Sequence, residues 1–397
     1  RRSPVRRRSP ARKRSPAGSR PRRSYNHSIQ NSSPVLTIAT FNLLGLRSLP
    51  KCERIDSSEC DQYERKLSWT ASTIRTVDAH VWGFQELVNG EALKDVFKKA
   101  GLEERYQLLV RDREDDESVW HEDASCAAAV LKGSLVGKPK WIKTIPGSIS
   151  FDLNRNEDVP SDSDQDPEDN STAVSVSIDE FQHSVLYFRV KPFKTQDGKF
   201  KGKPISVFVA HLKSKRPSKV KNTNWNHDEE TAVGLAMSTI KRTAEAAALR
   251  FLLIKEMKGN DTPVVLLGDL NDDPQSNTID ILTGSPRYLD AMRGHDTALY
   301  SCSFMEQYRS LRDVYYSYVH KNKHETLDHI LVSEEFYENS KRCTWRFRGL
   351  YLTNDHLDKD KGAREHALDG TSDHGILKAK FEYCHDKNSH EMAERSH

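Results

Sequence analysis

The sequence predicts an α/β fold in which buried sheets are covered by helices. Two observations support this: short runs are almost continuously apolar and β-branched, and a few longer segments repeat apolar residues at helical spacing. Strands that are apolar on both faces belong to sheets covered on both sides. The strand-like runs lie at 35–41, 80–84, 106–110, 127–131, 185–190, 205–211, 264–267, 326–332 and 376–381.

Three segments have the spacing of helices. In 63–77, the residues Leu67, Ile74 and Val77 recur on one side of a helix, and 91–100 shows a similar pattern. Segment 231–258 is rich in Ala and Leu and contains no Pro, which favours a long helix. With 397 residues, 36% of them hydrophobic, the chain is long enough for one large domain, predicted at 34–385.

The charge is unevenly distributed along the chain. Residues 1–23 contain ten Arg, one Lys and no acid, and the remaining residues carry 50 basic and 58 acidic side chains, a net charge of −8. We expect 1–33 to be a disordered arm that either binds RNA or protein partners under the control of Ser-Pro phosphorylation or is a plain solvated tail. Segment 152–170 holds eight acids and is predicted to be a solvated insertion loop, and 386–397 a polar tail.

The sequence is compatible with two cellular compartments. The basic arm favours the nucleus, whereas a disulfide between Cys52 and Cys60 would favour secretion; six reduced thiols are the alternative. The sequence has no apolar run of about 18 residues, so no transmembrane segment is expected.

The most informative string is VVLLGDLNDDP at 264–274. An apolar strand ends on Gly268 and is followed by Asp269 and Asn271, which alternation places on one side of the extended chain. A carboxylate and an amide projected together suit a phosphate: one orients a nucleophile and the other hydrogen-bonds an oxygen. A turn capped by Asp and Asn is the structural alternative.

Further polar side chains end other strand-like runs. Asn42 follows ATF, Glu86 follows GFQ, His211 follows VFVA, and the string TSDHG at 371–375 precedes the last strand. One such residue is usually a surface group, but several at strand ends together indicate a catalytic site built at one edge of the sheets.

The strings ATFNLL, GFQEL, VAHLKSK, LLGDLNDDP, TLDHILVS and TSDHGIL occur in this order over residues 35–383. As an ordered set they resemble the endonuclease/exonuclease/phosphatase superfamily, also called deoxyribonuclease I-like. The resemblance implies a four-layer α/β/β/α sandwich of two mixed β-sheets flanked by helices. It also implies an enzyme, a Mg²⁺-dependent phosphoric ester hydrolase, with Mn²⁺ or Ca²⁺ as alternative ions.

Residue by residue, the resemblance implies a metal site and a catalytic group. Glu86 would be the main metal ligand, with Asn42 beside it and Asp373 in or next to the site. His374 would activate water as general base or stabilise the attacked phosphate. The remaining catalytic roles are hydrogen bonding to His374 by Asp328, positioning of water and phosphate by Asp269 and Asn271, and a contact with a phosphate oxygen or the leaving group by His211.

Three basic residues follow His211 in the loop LKSKR: Lys213, Lys215 and Arg216. We expect them to contact substrate phosphates, although a solvated loop would have the same composition. The most consistent function is a monomeric nuclease, endo- or exonuclease, acting on DNA or RNA. The alternatives are a phosphatase or phosphodiesterase for a small or lipid substrate, of inositol-phosphate or sphingomyelin type, and an inactive RNA- or protein-binding module.

Overall fold

The computed structural model describes residues 33–48, 57–111, 124–152, 175–195, 197–220, 225–288, 294–310, 316–320, 323–357 and 361–384. The predictions for the arm up to residue 32, for the acidic insertion beyond residue 152 and for the tail 386–397 lie outside these residues. Cys60 is disulfide-bonded, but Cys52 is not among the described residues, so their pairing stays a prediction. Within the described part of the chain, none of the helices has the length and apolar content needed to span a bilayer.

The described strands, in chain order, are β1 (Val35–Leu46), β2 (Val81–Leu87), β3 (Tyr106–Leu109), β4 (Ser125–Leu131), β5 (Leu135–Asp152), β6 (Ser175–Val190), β7 (Phe193–Lys194), β8 (Phe200–Lys201), β9 (Ile205–His211), β10 (Val264–Asp269), β11 (Tyr300–Ser301), β12 (Tyr318–His320), β13 (Lys323–Glu325), β14 (Asp328–Val332), β15 (Trp345–Thr353) and β16 (Ile376–Tyr383). The helices are α1 (Ser57–Val77), α2 (Gly90–Lys99), α3 (His227–Met257), α4 (Asn277–Thr283), α5 (Cys302–Arg309) and α6 (Ala363–Asp369), with a 3-10 turn at Glu334–Phe336.

Two six-stranded mixed sheets form the body. Their strand orders are β15-β16-β1-β2-β4-β3 and β11-β14-β10-β9-β6-β5. Each sheet has one parallel pair at its centre, β1 with β2 and β9 with β10, and antiparallel neighbours on both sides. Because each parallel pair lies at the centre of its sheet, the ends of these four strands lie at corresponding positions in the two sheets.

Alternating side chains of the central strands separate the layers of the core. Val81 of β2 faces the second sheet, whereas the next residue, Trp82, packs with α1 and α2. In β10, Val265 faces the first sheet and Leu266 packs with α3. Both faces of each sheet are therefore buried, which is why the strands are apolar throughout. The four-layer α/β/β/α sandwich confirms the predicted fold.

Helix α3 begins four residues earlier than the sequence pattern predicts. Asn226 accepts hydrogen bonds from the backbone N–H groups of Asp228 and Glu229, and the Glu229 side chain accepts one from the Asn226 N–H. This capping box supplies hydrogen-bond acceptors to backbone N–H groups of the first turn, which have no partner within the helix. The first turn is consequently polar, and it has no apolar periodicity by which to recognise it.

Gly268, just before Asp269, is expected to tolerate no side chain. Its φ is +143°, and a Cβ atom would lie 1.9 Å from the carbonyl oxygen of Ala210 on the neighbouring strand β9. The backbone cannot move away without breaking the β9–β10 pairing. We therefore expect Gly268→Ala to lower the free energy of unfolding by about 3 kcal/mol or more, measured by chemical denaturation.

A variant at a second glycine, Gly259, distinguishes the cost of the steric clash from the cost of the backbone conformation. Gly259 has φ +74°, and a Cβ atom added there would meet no other atom within 4 Å. Gly259→Ala should therefore lose only the roughly 1 kcal/mol of the left-handed backbone. Equal losses in the two variants would show that the contact with Ala210 does not matter.

Candidate active site

The predicted site residues meet where the parallel strand pairs of the two sheets end. In the first sheet, Asn42 lies opposite Gln85, the residue before Glu86. In the second, Asp269 pairs with His211 on one side and with Asp328 on the other. Because the sheets pack face to face, these ends form one polar cluster at the edge of an apolar core.

Asn42 joins the two sheets at this cluster. Its Nδ2 donates to Glu86 Oε1 at 3.1 Å and to Asp269 Oδ2 at 3.0 Å, and its Oδ1 accepts from the Leu44 backbone N–H at 3.0 Å. The side chain is fully buried. Asn42 therefore holds the two carboxylates beside each other, in addition to the metal contact predicted for it.

His374 is fixed between two buried carboxylates. Its Nδ1 lies 2.8 Å from Asp328 Oδ2, and its Nε2 lies 3.7 Å from Asp269 Oδ2. Since the carboxylate can only accept, Asp328 fixes the proton on Nδ1 and leaves Nε2 facing the site. Burial lowers the pKa of His374, but the attraction of Asp328 and Asp269 outweighs it and raises that pKa well above its usual range.

The pKa values of Asp269 and His211 are shifted in opposite directions. Burial raises the pKa of Asp269 to about 7; repulsion from Asp328 and Glu86 adds to this, and attraction to His374 opposes it. Burial lowers the pKa of His211 well below its usual range, helped by repulsion from His183 and His374. Shifted pKa values in a cluster of buried titratable groups are typical of catalytic sites.

Two site residues have strained backbones. Glu86 has φ +57° and Asn271 has φ +55°, in the left-handed region that disfavours residues with a Cβ atom. Asn271 is held there by its N–H donating to Asp269 Oδ1 at 3.0 Å and by its Nδ2 donating to Leu212 O at 2.9 Å. Such strain persists where the surroundings impose it, and it clusters at functional sites.

The side chains present fit a divalent cation. Possible ligand atoms of Glu86, His211 and Asp269 all lie within 4.8 Å of one another, and the same holds for Asp269, Asp328 and His374. Oδ1 of Asp373 is buried without a hydrogen-bond partner among the described residues. Carboxylate oxygens, including one without a hydrogen-bond partner, are the donors that hard cations such as Mg²⁺ take.

The sequence profile of the Endonuclease/Exonuclease/phosphatase family matches residues 212–374. This segment is therefore similar in sequence to that family. The family comprises hydrolases that act on phosphoesters. The matched segment contains Asp269, Asn271, Asp328, Asp373 and His374; the other three site residues precede it, and the fold brings them to the cluster.

Several solved structures are similar to this chain at low identity. The human Nocturnin catalytic domain with a bound sulfate anion is 16% identical, with 89% of this chain and 96% of that chain covered and a TM-score of 0.47. A mannosyl-6-phosphatase of Bacteroides thetaiotaomicron is 16% identical over 88% and 100%, TM-score 0.44. TDP2 of D. rerio, complexed with single-strand DNA product, is 14% identical over 88% and 99%, TM-score 0.47. We found no match among curated protein sequences.

The three basic residues predicted to contact phosphate differ in their surroundings. Nζ of Lys213 donates to the backbone oxygens of Ser214 and Arg216 at 3.2 Å. Lys215 lies among carboxylates, with Asp273 Oδ2 at 3.0 Å. Arg216 is exposed, and its guanidinium forms no ion pair with a described residue. Of the three, only Arg216 is exposed, whereas the ammonium groups of Lys213 and Lys215 are hydrogen-bonded within the protein.

Two residues that the sequence patterns did not point to lie beside the cluster. Lys66 of α1 is buried and donates to the Thr371 backbone oxygen at 2.7 Å; burial lowers its pKa to about 8, against the attraction of Asp373 and Glu86. His183 stacks on His211 with ring centroids 4.4 Å apart. Lys66 was detectable, because it stands one turn before Thr70 on the buried face of the helix. Nothing in the sequence around His183 indicates its place.

Proposed function

We propose that this chain is a divalent-metal-dependent phosphodiester hydrolase that cleaves nucleic acid. The observation that supports it best is the single buried cluster in which Asn42 links Glu86 to Asp269 and Asp269 faces His374. A cluster of this kind, assembled from both sheets, combines carboxylates for a cation with an imidazole whose free nitrogen can exchange a proton. Each of the two promotes the hydrolysis of a phosphodiester: the cation by neutralising developing charge, and the imidazole by transferring a proton.

Glu86, Asp269 and His211, whose possible ligand atoms lie within 4.8 Å of one another, would hold the metal ion, with Asp373 as a further ligand. When bound, Mg²⁺ supplies positive charge to a phosphate and makes water more acidic. The protein itself orients the reacting groups: Asp328 fixes the tautomer of His374, and His374 Nε2 is the atom that takes or donates a proton. Asn271 has one amide N–H left beyond its bond to Leu212 O, and that N–H suits a phosphate oxygen.

Exposed Arg216 at the rim supports a nucleic-acid substrate, because phosphate-backbone contacts come mainly from Arg and Lys. A specific observation favours the alternative of a small phosphoester substrate. Two of the three predicted phosphate contacts, Lys213 and Lys215, are engaged within the protein. A weakly basic rim is sufficient for a substrate with a single phosphate group.

The test is metal-dependent turnover on a panel of substrates. We expect the purified chain with Mg²⁺ or Mn²⁺ to nick plasmid DNA or shorten single-stranded RNA, and EDTA in excess of the metal to reduce the rate to background. Bis-p-nitrophenyl phosphate and a phosphoinositide are included as small substrates. Release of inorganic phosphate alone would support the phosphatase, and no metal-dependent turnover on any substrate would contradict the proposal.

A further inference from the structure

Lys215 lies at the meeting point of three acidic side chains. Its Nζ is 3.0 Å from Asp273 Oδ2, 3.0 Å from Glu325 Oε2 and 3.7 Å from Asp272 Oδ1, and the side chain is 36% exposed. Burial lowers the pKa of Lys215, but the hydrogen bonds to Asp273 and Glu325 raise it overall. The ammonium group is therefore charged, and its charge is directed into the protein.

The chain segments that meet at Lys215 are those that carry the site. Lys215 stands four residues after His211, Asp273 stands four residues after Asp269, and Glu325 stands three residues before Asp328. An isolated ion pair on a surface contributes little to stability. Here one ammonium links three chain segments, two loops and strand β13, that have no covalent connection near the site. The placement of these segments sets the distances between the catalytic groups.

Glu325 transmits this placement to the Asp328–His374 pair. The backbone oxygen of Glu325 accepts from the Ser317 N–H at 2.9 Å, and Ser317 Oγ accepts from the Asp328 N–H at 3.1 Å. The backbone oxygen of Ser317 accepts from the N–H of Gly375, the residue after His374, at 2.7 Å. The hairpin β12–β13 is thus connected to both partners of the pair.

The same hairpin also reaches His374 through a side chain. The Tyr318 ring lies against the His374 ring with centroids 4.9 Å apart, and the two residues form an isolated backbone bridge. A shift of the hairpin would therefore move the imidazole as well as the carboxylate that orients it.

We propose that Lys215 is a positioning residue, which holds these three chain segments in their catalytic arrangement and does not contact substrate phosphate. Arg216, the next residue, supplies the phosphate contact at the rim. The second statement rests on the proposed action on nucleic acid, and the first does not. Adjacent basic residues in one loop thereby have separate tasks, one internal and one external.

The positioning role is tested on bis-p-nitrophenyl phosphate with Mg²⁺. We expect Lys215→Gln and Glu325→Gln each to lower kcat roughly ten-fold, as supporting groups of catalytic residues do, with KM changed less than about two-fold. The double variant should be no worse than the poorer single one, since both remove the same link. Lys215→Arg should recover most of the rate. The matched control is Lys132→Gln, which removes the 3.0 Å ion pair between Lys132 and Glu104. This variant should leave kcat unchanged.

Salt dependence separates positioning from phosphate contact. With a single-stranded oligonucleotide, Arg216→Gln should reduce the slope of log KM against log salt by about 0.7, the value for one phosphate contact, and Lys215→Gln should leave it unchanged. A reduced slope together with an unchanged kcat in Lys215→Gln would overturn the proposal. If the wild type cleaves no nucleic acid, the nuclease proposal fails, and kcat on the small diester still decides the role of Lys215.

A spectroscopic measurement makes the test independent of turnover. The proton that Asp328 holds on His374 Nδ1, in a hydrogen bond of 2.8 Å, should give a separate downfield ¹H NMR signal that depends on the geometry of this bond. We expect this signal to shift or broaden in Lys215→Gln and to stay in place in Lys132→Gln. An unchanged signal in both variants would show that Lys215 does not position the pair.

Discussion

Glu86→Gln is expected to reduce metal-dependent phosphodiester hydrolysis by at least about 10³-fold, which corresponds to the several kcal/mol that a bound cation contributes. Glutamine keeps an oxygen that can accept the Asn42 amide N–H but lacks the negative charge that a cation needs. The loss should therefore appear in metal affinity, measured by titration calorimetry with Mg²⁺, as well as in kcat. The thermal midpoint should change little, because the side chain is only partly buried.

The matched control is Glu91→Gln. Glu91 is an exposed glutamate on α2, paired with Lys94, and it lies away from the cluster. It should leave both metal affinity and rate unchanged. Activity of Glu86→Gln within ten-fold of the wild type would place the metal, or the chemistry, elsewhere.

The second large effect is expected at the His374–Asp328 pair. His374→Ala should lower kcat by about 10³-fold, and Asp328→Asn by roughly 10- to 100-fold, because the aspartate acts by orienting the imidazole and stabilising its charge. The double variant should be no slower than His374→Ala. Additive losses would show that the two residues act separately.

The pH profile distinguishes the two roles open to His374. Asp328 raises the pKa of His374, so Asp328→Asn must lower it. If the neutral imidazole acts as base, the rate rises with pH through this pKa, and the acid limb of the profile moves to lower pH. If the protonated imidazole stabilises phosphate, the rate falls above this pKa, and the alkaline limb moves to lower pH instead. A profile without any shift would mean that His374 is not the titrating group.

Much of the fold was predictable because burial on both faces leaves a clear signal. The central strands such as β2 and β10 are apolar at consecutive positions, and this pattern can be read locally. Strand β15 was not predicted, since Arg346 and Arg348 alternate with its buried residues and interrupt the apolar run. The pairing of the strands, and so the two-sheet order, depends on contacts between distant segments that no local pattern contains.

The residues of the site were predictable from the sequence, but the hydrogen bonds and ion pairs between them were not. Resemblance identifies the residues that end strands, but the link from Asn42 to Asp269 spans 227 positions. The environment of Lys215 was hidden for the same reason, because Asp273 and Glu325 are 58 and 110 positions away. A basic residue in a loop therefore suggested a substrate contact, although folding supplies it with internal partners.

The left-handed backbones of Glu86 and Asn271 have a consequence for directed evolution. Glycine at either position would relax the chain by about 1 kcal/mol while removing a functional side chain. A library selected only for heat resistance would therefore accumulate inactive clones at these codons. Selection schemes for the proposed hydrolase activity should hold both codons constant, or apply a catalytic screen in every round.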